Sequence, residues 1–189
     1  RGERLAILTN GGGPGVIAAD SAAEHGVPLA VLQDMAGDAP PEHYAAATRA
    51  LLADPGVDAL LVMYSPVATT APEAAARAVV TAAKGSSKLV LAAWLGDINP
   101  NESRAYLESQ GIPNFYTPEN AVEAFSFLCA HQRNQAQLME VPTAQAPNEA
   151  PPDLSKATAL RDSALAGGRK LLTQQEAREL LAAFHLPVP

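Results

Sequence analysis

Six residues between an apolar run and an Ala-rich run, Asn10-Gly11-Gly12-Gly13-Pro14-Gly15, suit the binding of an anion by backbone alone. Glycines at a strand-to-helix junction let a ligand approach the main chain, and the unpaired amides and dipole of the following helix favour negative charge. The same composition also serves tight turns. A second segment, Ser65-Pro66-Val67-Ala68-Thr69-Thr70, stands in the equivalent place after a later apolar run. Its hydroxyls and amides suit an anion as well, although Thr and Pro ahead of a helix are also ordinary capping chemistry. The candidate phosphate-binding residues are Asn10, Gly11, Gly12, Gly13, Gly15, Ser65, Val67, Ala68, Thr69 and Thr70.

Competing chemistries fit less well. Asp34 follows the glycines at about the 20-residue distance of a ribose-binding acid. The dinucleotide fingerprint, however, needs its third glycine three positions after the second, and here Gly11, Gly13 and Gly15 are two apart with Pro14 in the gap. No P-loop lysine follows, which argues against nucleotide hydrolysis at this loop. His25, His43, His131 and His185 read as surface or capping residues, and Cys129 in FSFLC reads as core. The chain therefore offers no catalytic residue and no metal ligand set of its own.

The elements that position the loops follow from hydropathy. Strands are expected at Leu5 to Thr9, Leu29 to Leu32, Ala59 to Tyr64, Leu89 to Trp94 and Asn114 to Tyr116. Helices are expected at Gly15 to Glu24, Pro41 to Ala53, Pro72 to Ala83, Pro100 to Ser109 and Pro118 to Met139. Asn99-Pro100-Asn101-Glu102 and Thr117-Pro118-Glu119 mark two helix starts. Apolar strand runs imply burial on both faces, and so a parallel sheet covered by helices. The expected fold is α/β: a doubly wound, flavodoxin-like parallel sheet of five strands in the order 2-1-3-4-5, which sets the two loops side by side at the topological switch point.

Residues 1 to 140 form this domain. A Pro-interrupted linker spans 141 to 169, with a weak helix around Asp153 to Ala166. From 170 to 189, Thr173-Gln174-Gln175-Glu176 is a capping box for an amphipathic helix with no domain after it, expected to pack poorly or to borrow a neighbour. The chain holds 189 residues, and its opening, Arg1-Gly2-Glu3-Arg4, reads as a cut within a longer protein. A formal charge of -7 argues against nucleic acid or anionic membrane as partner. One cysteine suits a reducing, cytoplasmic setting.

Several of these segments together resemble a known family. Arg4 to Gly15 (RLAILTNGGGPG), Asp54 to Val62 (DPGVDALLV), Leu91 to Gly96 (LAAWLG), Gly111-Ile112-Pro113 and Tyr116 to Glu119 (YTPE) look like the C-terminal ligase-CoA domain of NDP-forming acyl-CoA synthetases. The group includes ADP-forming acetyl-CoA synthetases and related protein lysine acetyltransferases. Leu171 to Pro189 (LLTQQEARELLAAFHLPVP) resembles the opening of their ATP-grasp domain.

The resemblance implies that both loops supply helix N-termini to a phosphate carried on a phosphohistidine, as in the similar succinyl-CoA synthetase. That histidine, a CoA-binding domain and the ATP-grasp body belong to other parts of such proteins, together with ATP or ADP, Mg and CoA. The chain alone would then bind phosphate or acyl-CoA without turnover. An alternative is an acyl-CoA-sensing regulatory module of a lysine acetyltransferase. One departure concerns the substrate-facing rim: the family carries a longer segment after the second strand, whereas here Leu32 to Asp38 runs straight to Pro40 and Pro41.

Overall fold

A computed structural model describes residues 2–68, 70–96, 101–140 and 151–187. Chain contacts divide the protein into two compact units, Arg1–Glu140 and Val141–Pro189. The first unit is a parallel sheet of β1 (Leu5–Thr9), β2 (Leu29–Asp34), β3 (Ala59–Tyr64) and β4 (Leu89–Trp94) in the order β2-β1-β3-β4. Its helices are α1 (Gly12–Glu24), α2 (Pro41–Ala53), α3 (Pro72–Ala83), α4 (Asn101–Ser109) and α5 (Pro118–Met139).

Every strand points the same way, with Ile7 beside Leu61 and Leu61 beside Leu91 in register. The alternation of side chains across the sheet divides the core in two. Ala6, Leu8, Leu60, Val62, Ala92 and Trp94 face one layer, with Tyr44 and Leu51 of α2, Val79 of α3 and Leu107 of α4. Leu5, Ile7, Leu61, Met63 and Leu91 face the other, with Ala18 and Ala22 of α1 and Val122, Phe125 and Cys129 of α5. The doubly wound arrangement is thus as expected.

Three features differ from the sequence reading. The fifth strand is absent: Asn114 makes one isolated parallel bridge to Ala92. Backbone pairing there consists of Ala92 N–H to Pro113 O (2.9 Å) and Phe115 N–H to Ala92 O (2.8 Å). The next donor along β4, Trp94 N–H, is taken at 3.0 Å by the side-chain Oδ1 of Asn114, and Pro113 has no N–H, so the ladder stops at the position a fifth strand would occupy. Second, β2 is not buried: it is the edge strand, and all six of its residues are exposed because the helices cover its two faces only in part. It also runs two residues further than expected, to Asp34. Third, α1 begins at Gly12, three residues before the expected Gly15.

Helix starts otherwise follow the local chemistry. Thr117 Oγ1 accepts from Asn120 N–H at 3.2 Å with Pro118 at the first helical position. The expected cap at Asn99 lies outside the described residues.

The second unit holds α6 (Leu154–Ala166), the weak helix expected there, and α7 (Gln174–Ala183). Asp153 caps α6 by accepting from Lys156 N–H at 2.9 Å, while its own amide donates to Ala183 O at 2.9 Å and ties the two helices together. Thr173 and Glu176 form the capping box of α7 in both directions. Glu176 also takes both nitrogens of the Arg169 fork at 2.7 Å. Leu154, Leu165, Leu172, Leu180 and Phe184 line an open apolar groove between the helices. No described helix is long and apolar enough to cross a membrane.

Candidate functional site

The chain leaves β1 at Thr9, whose buried hydroxyl lies 3.0 Å from both the N and the O of Gly11 and closes the turn. Gly11 is the N-cap of α1 in extended conformation, and no side chain caps the helix. The first amides of a helix have no acceptor within it. In α1 these belong to Gly12 and Gly13, since Pro14 has no N–H and Gly15 N–H already reaches Gly11 O at 3.1 Å.

The glycines have separate reasons to be glycine. A Cβ on Gly11 would lie 2.5 Å from Ser65 Oγ, and one on Gly15 would lie 3.1 Å from Thr9 Cγ2. These two permit close packing. A Cβ on Gly13 would meet nothing within 4 Å, so its surroundings are open, while one on Gly12 would lie 3.2 Å from Asp34 Oδ2. The acid considered as a ribose ligand thus stands beside the first helical residue and adds negative charge to the rim.

Asn10 is not free to meet a ligand. Its side chain is buried, with Nδ2 donating to Gly37 O (3.0 Å) and Ser65 O (2.9 Å) and Oδ1 accepting from Ser65 N–H (2.7 Å). One amide thereby joins the loops after β1, β2 and β3. The two candidate loops do meet, as their strands' adjacency requires, and Asn10 is their clasp.

The second loop is held from beneath by aromatics. Tyr64 Oη donates to Thr70 O at 2.6 Å, and the Tyr64 ring stacks on Trp94 with centroids 5.6 Å apart. Burial pushes the Tyr64 hydroxyl above its ordinary pKa, in the direction that favours its protonated, donating form. Trp94 Nε1 donates to Pro72 O at 3.3 Å.

Within that loop Ser65 Oγ is enclosed beside Gly11 and has no hydrogen-bond partner among the described residues. The Thr70 hydroxyl turns toward the carbonyls of Asp38 and Ala39, each at 3.5 Å, and so faces the β2–α2 loop. Val67 is half-buried and Ala68 exposed, and Thr69 lies outside the described residues. Pro72 opens α3 without an N–H, and Glu73 places a carboxylate in its first turn. The α1 terminus is therefore the stronger anion donor of the two.

The histidines stay out of this site. His25 closes α1 at the end away from the glycines, with Nδ1 2.9 Å from Ser21 O. His43 and His131 are exposed on α2 and α5, and His185 follows α7. Sequence reasoning missed Arg104. Nε and Nη2 of Arg104 donate to Trp94 O at 3.0 and 2.6 Å, and Nη2 donates to Gly96 O at 3.0 Å. A cation in the opening turn of α4 was its available signal, since the helix dipole disfavours it there.

An open parallel sheet with helices on both faces, and with loops clasped outside its strand C-termini where strand order reverses, defines a doubly wound α/β domain. Residues 31–140 match the Ligase-CoA domain family, and the chain belongs to that family. It is 35% identical over 153 residues to an ADP-forming acetate-CoA ligase I of Archaeoglobus fulgidus, covering 70% of this chain and 22% of that protein. It is 30% identical over 159 residues to the alpha subunit of an ADP-forming acetate-CoA ligase II of Pyrococcus furiosus, covering 71% and 35%.

Among solved structures, a dinucleotide-forming acetyl-coenzyme A synthetase 1 of Ca. Korarchaeum cryptofilum superposes in its apo form with a TM-score of 0.69 at 34% identity, covering 75% of this chain and 36% of that one. The same protein in complex with phosphate and ADP superposes at 0.68, with the same identity and coverage. The chain thus spans between 22% and 36% of the length of these relatives.

Proposed function

We propose that this chain supplies the phosphate-holding crevice of an NDP-forming acyl-CoA synthetase. The observation that carries the reading is the uncapped N-terminus of α1, whose Gly12 and Gly13 amides lie at the sheet's switch point with open space at Gly13. The relatives' names, ADP-forming acetate-CoA ligases, and the phosphate and ADP named in one structural neighbour, support the same class of reaction. The regulatory reading, a sensing module of a lysine acetyltransferase, gains nothing from relatives that are named as ligases.

In the whole enzyme an acyl-CoA, phosphate and a nucleoside diphosphate would yield the acid, CoA and the triphosphate, or the reverse. A phosphohistidine would carry the phosphoryl group between sites. Gly12 and Gly13 amides would neutralise its oxygens, with the main chain of the second loop at Val67, Ala68 and Thr70 contributing and Asn10 fixing both loops. Fixed amides stabilise charge but attack nothing, so turnover needs the histidine, CoA-binding and ATP-grasp domains, with ATP or ADP, Mg and CoA bound there. Residues 170 to 189 would open the ATP-grasp domain. The free thiol of Cys129, buried in the core, fits a cytoplasmic setting.

Gly13→Val in the intact enzyme tests this. The space beside Gly13 accepts the new side chain, which then occupies the anion's place. Phosphohistidine formation should slow far more than CoA binding weakens. A folded variant forming phosphohistidine at the wild-type rate would show that the phosphate lies elsewhere.

A further inference from the structure

Arg104 breaks two local rules together. Its guanidinium is buried, with the residue 7% exposed, whereas a charged side chain is rarely buried without a counter-ion. It also stands in the opening turn of α4, where the helix dipole opposes a cation. Among the described residues no carboxylate pairs with it. Its partners are the two carbonyls of Trp94 and Gly96, and the exposed ring of Tyr116 lies over it at 4.5 Å. Natural proteins break such local rules chiefly at functional sites, and here the bonds to two carbonyls offset the cost.

What the fork achieves is geometric. Trp94 ends β4, and Gly96 has a left-handed φ of 84°, where a side chain is disfavoured. A Cβ on Gly96 would meet Pro66 Cγ at 2.7 Å, so the turn after β4 lies hard against the residue following Ser65. Contacts then run from Arg104 through Gly96 and Pro66 to Ser65, Asn10 and Gly11. We propose that Arg104 is a positioning residue for phosphoryl transfer: by pinning the β4 turn against Pro66 it sets the distance between the second loop and the amides of Gly12 and Gly13. This rests on the phosphate reading above. A lysine keeps the charge but has no planar fork to span both carbonyls.

The test uses the intact enzyme with Arg104→Gln, Arg104→Lys and Gly13→Val. Displacing a reacting group by about 1 Å can cost up to about 100-fold in rate. Arg104→Gln should slow phosphohistidine formation by up to that factor with the KM for CoA unchanged, and Arg104→Lys should recover only part. Two results overturn the proposal: a loss in Arg104→Gln that scales with the unfolded fraction alone, or wild-type transfer in Arg104→Lys.

Should Arg104→Gln fail to fold, Gly96→Ala strikes the same contact from its other side and must give the same selective loss. A folded Gly96→Ala protein with wild-type transfer also overturns the proposal. If Gly13→Val is slow while Arg104→Gln is not, the positioning role alone is wrong. If Gly13→Val transfers normally, the phosphate reading itself fails.

Discussion

The side chain of Asn10 and the backbone of Ser65 exchange a pair of hydrogen bonds, Ser65 N–H to Oδ1 at 2.7 Å and Nδ2 to Ser65 O at 2.9 Å. The amide thus imitates a strand partner just beyond the point where β1 and β3 stop pairing. Its remaining hydrogen reaches Gly37 O, so both polar atoms of a buried group are used. Asn10→Asp should destabilise the first unit more than Asn10→Ala does. A carboxylate cannot donate and would face two carbonyl oxygens, while alanine leaves Ser65 N–H unpaired at a cost of about 1–3 kcal/mol. Urea unfolding of the two variants gives the order, and equal midpoints would contradict it.

The glycine loop should separate into two classes when each glycine is replaced by alanine. Gly11→Ala drives a methyl to 2.5 Å from Ser65 Oγ and should lower stability. Gly13→Ala fills empty space inside the first turn of a helix, where alanine exceeds glycine by about 0.5–1 kcal/mol. Thermal denaturation should therefore show Gly11→Ala melting below, and Gly13→Ala at or above, the wild-type protein. A drop for both would contradict this division of the glycines.

Much of this was legible in the sequence because periodicity and punctuation agree. The apolar runs at Leu5, Ala59 and Leu89, each followed by a turn and an Ala-rich helix, dictate parallel strands, and adjacency of β1 and β3 brings Asn10 to Ser65. The fifth strand was not legible as a failure, since Asn114 to Tyr116 has the right place, Pro113 alone does not forbid an edge strand, and the side-chain bond of Asn114 to Trp94 N–H is seen only in space. Exposure of β2 was hidden as well: a run such as LAVLQ reads as buried whether helices cover its two faces fully or only in part. Within the candidate site, composition pointed to both loops but not to the division of labour. Asn10 and Thr70 look like ligands in sequence and are internal braces in space, and Arg104 lies in a helix that no motif singled out.

Aromatic support of the second loop should be measurable through one hydroxyl. Tyr64→Phe removes the donor to Thr70 O and leaves the stack on Trp94 intact. The expected loss is about 1–3 kcal/mol, the penalty for an acceptor stranded in a buried site. Hydrogen exchange should rise in residues 65 to 74 more than in β1 or β3. A uniform rise across the sheet would mean that the bond supports the core and not the loop.

Acid should act through Asp58. This carboxylate accepts from Arg4 N–H at 3.0 Å, Nε at 2.7 Å and Nη2 at 3.0 Å, tying the start of β1 to the turn before β3. The Arg4 side chain and backbone hold its pKa down to about 2, from an ordinary 3.8. A pKa lower in the folded state means that the unfolded chain binds the proton more tightly, so this contribution is complete above the ordinary value and disappears as pH falls through the folded one. Loss is therefore confined to the window between 3.8 and about 2. Arg4 is half-exposed, so salt screens the pair and the effect should shrink as ionic strength rises. Asp58→Asn removes the titrating group: its stability should lie below wild type at neutral pH and fall less steeply than wild type across that window. Unfolding midpoints of the two proteins measured from pH 7 down to pH 2 should converge toward the acid end. Parallel curves would show that Asp58 does not carry the acid response of the β1 start.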